Sequence, residues 1–175
     1  MPQAGRKLLE SVWDEAAPAL ARVACAIGLD GDRVDDVLQD VFLTAWKKCP
    51  NSVDRGELRR WLFRVTINRC NLEHRRRANW RKVLNGLARS WTNRRNVRDP
   101  ADNAAQTEEQ NLIRRCLDTL EPQLRSVLVL RYFAEFNSRE IGKILKQSDS
   151  TVRSQLRTAR RQLAQELRRA GYSHE

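Results

Sequence analysis

Arg153, Ser154 and Arg157 stand in the first turns of a helical run and face away from its apolar side. Their chemistry is that of DNA readout. A guanidinium bonds guanine through two N–H groups or holds a phosphate, and a hydroxyl serves either target. The competing use of such residues is a solvated basic face on an ordinary helix. The surrounding sequence, NSREIGKILKQSDSTVRSQLRTARRQL from Asn137 to Leu163, favours DNA. A short amphipathic segment from Ser138 to Leu145 meets a polar break at Lys146-Gln147-Ser148-Asp149, and a longer basic helix starts at Ser150. Short helix, tight turn and basic second helix make a helix-turn-helix, whose second helix enters the major groove by its N-terminal part.

The apolar residues of this segment determine which side faces out. Ile141, Ile144 and Leu145 line one face of the first helix. Val152, Leu156, Ala159, Leu163 and Leu167 recur at spacings of four and three, one side of the second. Ser148 precedes this run as an N-cap, and its cap bond is expected at Thr151.

The whole chain agrees with a polyanionic partner. It has 175 residues, a net charge of +11 and a pI near 10.4, which favours nucleic acid before membrane. The charge is uneven. Residues 1–50 are slightly acidic, with Asp30, Asp32, Asp35, Asp36 and Asp40, whereas 51–100 hold most of the basic excess. Two faces of opposite sign suggest two different partners.

Other chemistries find little support. There is no HxE with CxxC, no phosphate-cradling glycine loop and no carboxylate cluster that a helix surface does not explain. Catalytic residues, a cofactor and a small-molecule substrate are therefore not expected. The four cysteines, Cys25, Cys49, Cys70 and Cys116, are too dispersed for a zinc site or a disulfide framework. Cys25, Cys70 and Cys116 fall in helical patterns and are expected to pack as small apolar residues. Without a membrane-length apolar run or signal-peptide core, the chain is expected to be cytoplasmic.

The elements that must position these residues are all helical: an all-α protein of two small domains joined by a flexible linker, the helix-turn-helix in the second. Leu8, Leu9, Val12, Trp13, Ala16, Leu20, Val23 and Ile27 trace a first helix, stopped by Gly28-Leu29-Asp30-Gly31, with Pro18 a candidate kink. Asp32 to Lys48 forms a second, with Val34, Leu38, Val41, Phe42, Ala45 and Trp46 inward. After a loop from Cys49 to Glu57, a third helix runs from Leu58 to about Arg77, with Trp61, Leu62, Val65 and Leu72 inward. The first domain spans 1–85, the linker 86–107 (containing Asp99-Pro100 and Trp91) and the second domain 108–175. There, Leu112, Ile113, Cys116, Leu117 and Leu120 form one face, and Leu124, Val127, Leu128, Leu130, Tyr132 and Phe133 the core of the next helix.

In this order the segments resemble a bacterial sigma factor of the extracytoplasmic-function (ECF) group of the sigma-70 family, over nearly the whole chain. DDVLQDVFLTAW, Asp35 to Trp46, is similar to the family's core-polymerase-binding helix. WLFRVTINRC, Trp61 to Cys70, with the arginines Arg75 to Arg77, resembles the helix that engages the −10 promoter element. Leu120 to Leu163 resembles the fourth region, which engages the −35 element.

The resemblance implies a removable specificity subunit of core RNA polymerase that reads promoter DNA and starts transcription. Asp35, Asp36, Gln39 and Asp40 would meet the polymerase. The loop with Ser52, Asp54 and Arg55 corresponds to a pocket for a flipped promoter base, and Asn68 matches the asparagine beside it. Arg59, Arg60, Arg64, Asn71, Arg75 and Arg76 would lie along the DNA strands. Ser150, Thr151, Arg153, Ser154, Arg157, Thr158 and Arg160 match the face that meets the −35 element. An anti-sigma factor, often membrane-anchored in this family, would be the regulating partner and could hold the chain at the inner membrane.

The chain departs from the family pattern at three positions: Leu72 where an acid is common, Lys146 where glycine is common in the turn, and Gln155 where a basic residue is common. The remaining alternative is a stand-alone helix-turn-helix regulator. It would need a dimerisation element, for which the sequence has no long heptad, and would leave the acidic second helix unexplained.

Overall fold

The computed structural model describes residues 3–48, 54–90 and 108–172. Among these residues there are helices only: α1 (Gln3–Ala26), α2 (Gly31–Lys48), α3 (Arg55–Ser90), α4 (Glu108–Asp118), α5 (Pro122–Tyr132), α6 (Ser138–Leu145) and α7 (Asp149–Arg169). α1, α2 and α3 pack on one another, and α7 packs against α4, α5 and α6. α3 also packs on α6, and α1 on α5, so one apolar core runs through both units.

Local sequence explains most of the boundaries. α1 ends in a Schellman motif: Leu29 N–H bonds Ala24 C=O at 3.2 Å and Gly28 N–H bonds Cys25 C=O at 2.9 Å. Gly28 takes φ +102° there, a conformation other residues avoid. Pro18 does not break α1; it sits on the exposed side, where water can serve the carbonyl it leaves unpaired. Trp13 packs edge-on against Phe42 at 5.0 Å, and Arg6 lies 4.9 Å over Trp46, closing the outer end of the α1–α2 layer.

α3 differs from its sequence expectation at both ends. It starts at Arg55 rather than Leu58, because the Asp54 carboxylate accepts the Glu57 N–H at 2.7 Å and caps the helix. It continues to Ser90, into the stretch expected to be linker from residue 86. Its buried stripe is Leu58, Leu62, Phe63, Thr66, Ile67 and Cys70. Leu72 falls off that stripe and is 40% exposed, not inward as expected; Trp61 and Val65 are half-buried.

The second unit carries two further corrections. Tyr132 is 57% exposed rather than core, because it lies beyond the stretch of α5, Leu124 to Leu130, that is buried on all sides. Phe136, in the turn before α6, is buried instead and packs edge-on against Phe63 of α3 at 4.8 Å.

Candidate nucleic-acid interface

The turn between α6 and α7 is built residue by residue. Asn137 caps α6 with a reciprocal box: its Oδ1 accepts Glu140 N–H at 3.0 Å and Glu140 Oε2 accepts Asn137 N–H at 2.9 Å. α6 ends at Lys146, which is left-handed at φ 56°, ψ 48°. The following chain folds back so closely that a Cβ on Gly142 would lie 2.7 Å from Gln147 O. Ser148 then caps α7, accepting Thr151 N–H at 3.1 Å, as its position in the sequence predicts.

With Val152, Leu156 and Ala159 buried, α7 shows Ser150, Thr151, Arg153, Ser154, Arg157 and Arg160 to solvent, and Thr158 is half-buried. Arg153 is paired with Asp149 at 2.6 Å, and Arg160 lies 5.8 Å over the ring of exposed Tyr132. Gln155 is half-buried, with its Oε1 enclosed and lacking a hydrogen-bond partner. The exposed cations and hydroxyls on the first turns of a capped helix can meet base edges and phosphates.

On α3 the candidate DNA residues divide into two sets. Asn68, Arg75 and Arg76 are exposed, with Arg76 paired to Glu73 at 2.8 Å, and Arg60 and Arg64 are half-buried. The others are committed within the fold. Asp54 is the helix cap, and Arg55 bonds Ser11 at 3.1 Å and pairs with Glu15 of α1. Arg59 lies over both Phe63 (5.2 Å) and Phe136 (4.5 Å). Asn71 donates to Ser126 Oγ at 3.1 Å. Ser52 lies outside the described residues, as do Cys49 and Trp91.

On α2, Asp35, Asp36 and Gln39 are exposed, and Asp40 is paired with Arg69 of α3 at 3.0 Å. Asp36, Gln39 and Asp40 share a shallow polar depression with Arg33, Arg69 and Glu73.

A polar cluster that the sequence did not suggest joins the two units. Arg125 of α5 is 1% exposed, and its guanidinium nitrogens lie 3.0 Å from Asp118 Oδ1 and 2.7 and 3.2 Å from the ring nitrogens of His74. Burial lowers the Arg125 pKa, and the neighbouring Asp118 carboxylate opposes that shift. No spacing rule could have found this cluster, since His74 and Arg125 meet only in the tertiary fold.

The cysteines differ from one another. Cys70 is buried and its thiol is pushed up to about 12 by desolvation. Cys116 is also buried. Cys25 is exposed, contrary to its expected packing, because the α1 face it occupies borders an open apolar groove beside α4.

Family comparison agrees with both units. The model for Sigma-70 region 2 matches residues 12–81, and that for Sigma-70, region 4 matches 110–163. The ECF RNA polymerase sigma factor SigL of Mycobacterium tuberculosis is 29% identical over 165 residues, covering 94% of this chain and 91% of SigL. The chain belongs to the ECF group of the sigma-70 family. Region 2 of this sigma factor thus lies within α1–α3 and region 4 within α4–α7. CnrH, solved with the cytosolic domain of CnrY, has the same fold: TM-score 0.65, 24% identity, 91% of this chain and 86% of CnrH covered. The sigma factor RpoE of Bartonella quintana, solved with the anti-sigma factor NepR, gives 0.64, 20%, 91% and 96%. Among the described residues of the sigma factor, no helix is long and apolar enough to cross a membrane.

Proposed function

We propose that this sigma factor is a non-catalytic specificity subunit that docks on core RNA polymerase through α2 and reads promoter DNA through α3 and α7. The observation that carries this is the exposed set Ser150, Arg153, Ser154, Arg157 and Arg160 on a capped helix inside the region 4 match. Residues 1–85 act as the region 2 domain and 108–175 as the region 4 domain, tethered through 86–107. Asp35, Asp36 and Gln39 face the polymerase. Asn68, Arg75 and Arg76 contact the −10 element, with Arg60 and Arg64 alongside.

The working compartment is the cytoplasm. RpoE of Bartonella quintana is held by an anti-sigma factor, and the same class of partner is proposed here as the regulator. Run-off transcription with core polymerase is the test. Promoter-dependent transcripts, lost in Asp35→Lys/Asp36→Lys along with core co-purification, are expected. Specific promoter binding by the free chain, without any association with core, would instead identify a stand-alone regulator.

A further inference from the structure

Tyr132, the last residue of α5, keeps more than half of its surface exposed. A tyrosine so placed gains little from burial. The guanidinium of Arg160, on α7, stands 5.8 Å over its ring. At that distance a cation is attracted by the negative face of an aromatic ring. α5 and α7 pack on each other, so the ring is carried by an element fixed to the helix that bears Arg160.

Arg160 differs in this from Arg153, which an acid, Asp149, holds at 2.6 Å. Among the described residues, no carboxylate stands within ion-pair distance of Arg160. The difference matters to an incoming phosphate. A carboxylate beside an arginine repels the anion and competes for the same N–H groups, whereas a ring restrains the guanidinium and leaves its charge unneutralised. Position along the helix indicates the target. Arg160 is seven residues after Arg153, on nearly the same face and about 10 Å farther along the axis. In a helix that enters the major groove by its N-terminal part, Arg160 therefore stands at the rim of the groove, level with the sugar–phosphate backbone, when Arg153 is at the bases.

We infer that Tyr132 and Arg160 form a phosphate-binding site at the rim of the promoter groove, in which Tyr132 is a positioning residue that holds the Arg160 guanidinium ready for one backbone phosphate. This rests on the reading of α7 as the helix that meets promoter DNA. Arginine loses side-chain freedom when it docks, and the ring has removed part of that freedom before DNA arrives. The site adds affinity without choosing bases.

The test uses the chain bound to core polymerase and a duplex promoter fragment that this holoenzyme recovers from a randomised library. Affinity is measured as salt is varied. Arg160→Ala is expected to weaken binding about eightfold at about 0.1 M salt and to make the slope of log affinity against log salt shallower by about 0.9, the effect of one phosphate contact. Tyr132→Leu and Tyr132→Gln, at an exposed position, are expected to fold as wild type does and to weaken binding about two- to fivefold. Tyr132→Phe keeps the ring and should bind as wild type. In the Arg160→Ala background, Tyr132→Leu should change nothing further. Ring loss that costs nothing, or costs as much without Arg160 as with it, overturns the inference. So does a Tyr132→Phe loss equal to that of Tyr132→Leu, or an unchanged salt slope in Arg160→Ala. Those outcomes leave the reading of α7 standing as long as Arg153→Ala and Arg157→Ala weaken binding. If these two variants also bind as wild type, or the wild-type holoenzyme recovers no promoter, the reading of α7 falls and the inference falls with it.

Discussion

Asp149 Oδ2 lies 2.6 Å from the guanidinium of Arg153, one turn on along the outer face of α7. The acid therefore aims the arginine and lies at the positive end of the helix dipole. Arg153 is expected to read a base. Arg153→Ala should cost about 1–3 kcal/mol at one promoter position and little elsewhere. Asp149→Asn should raise overall DNA affinity while weakening discrimination at that position. Transcription from a promoter library randomised one position at a time decides this. A uniform loss across the library for Arg153→Ala would make it a phosphate contact.

The turn before α7 stores strain at one residue and lacks space at another. Lys146 is left-handed, so Lys146→Gly should stabilise the chain by about 1 kcal/mol, less the entropy glycine adds to the unfolded state. Gly142 is the opposite case. A Cβ would lie 2.7 Å from a backbone carbonyl, and Gly142→Ala should cost about 1–3 kcal/mol as the turn shifts. Thermal unfolding should move up for the first and down for the second, by about 2–4 °C per kcal/mol.

Cys70 should make stability fall in alkali. Its thiol titrates near 12 in the fold against about 9 when exposed, so between those values the folded chain holds a proton that the unfolded chain has lost. The contribution is whole below pH 9 and is lost as pH rises toward 12, amounting to about 4 kcal/mol. Denaturant midpoints measured across this window should drop less steeply in Cys70→Ala than in wild type. In the native chain, iodoacetamide should label exposed Cys25 and spare Cys70. Parallel pH slopes for the two proteins would rule the mechanism out.

What was legible in the sequence was local. The bounds of α6, the Ser148 cap and the outward set on α7 follow from signals within a few residues, and the structure has them where the sequence predicts. The Asn137–Glu140 box is equally local, an N-cap asparagine with glutamate at N3. The failures are long-range. Tyr132 and Leu72 stand at helical spacing with apolar neighbours, yet both are largely exposed. Phe136 stands in a turn, where periodicity is silent, and is buried only because α3 passes over it. Arg59 and Asn71 looked like free DNA contacts because nothing local announces that Phe136 and Ser126 will meet them.

The acids of α2 should not contribute equally to polymerase docking. Asp35 and Asp36 are exposed, whereas Asp40 is paired with Arg69 at 3.0 Å and helps hold α2 on α3. That pair is solvent-exposed, so removing it should cost at most about 1 kcal/mol of stability. Asp40→Ala should therefore leave core affinity near that of wild type. Reversing Asp35 or Asp36 to lysine inverts the charge that α2 offers the polymerase and should weaken core binding at least about tenfold, mostly through slower association. Titration against immobilised core polymerase at low and high salt measures this. The gap between Asp36→Lys and wild type should narrow as salt screens the charges. If Asp40→Ala proves the most damaging of the three, the Asp40–Arg69 pair opens on docking and the polymerase contact centres on the polar depression it borders.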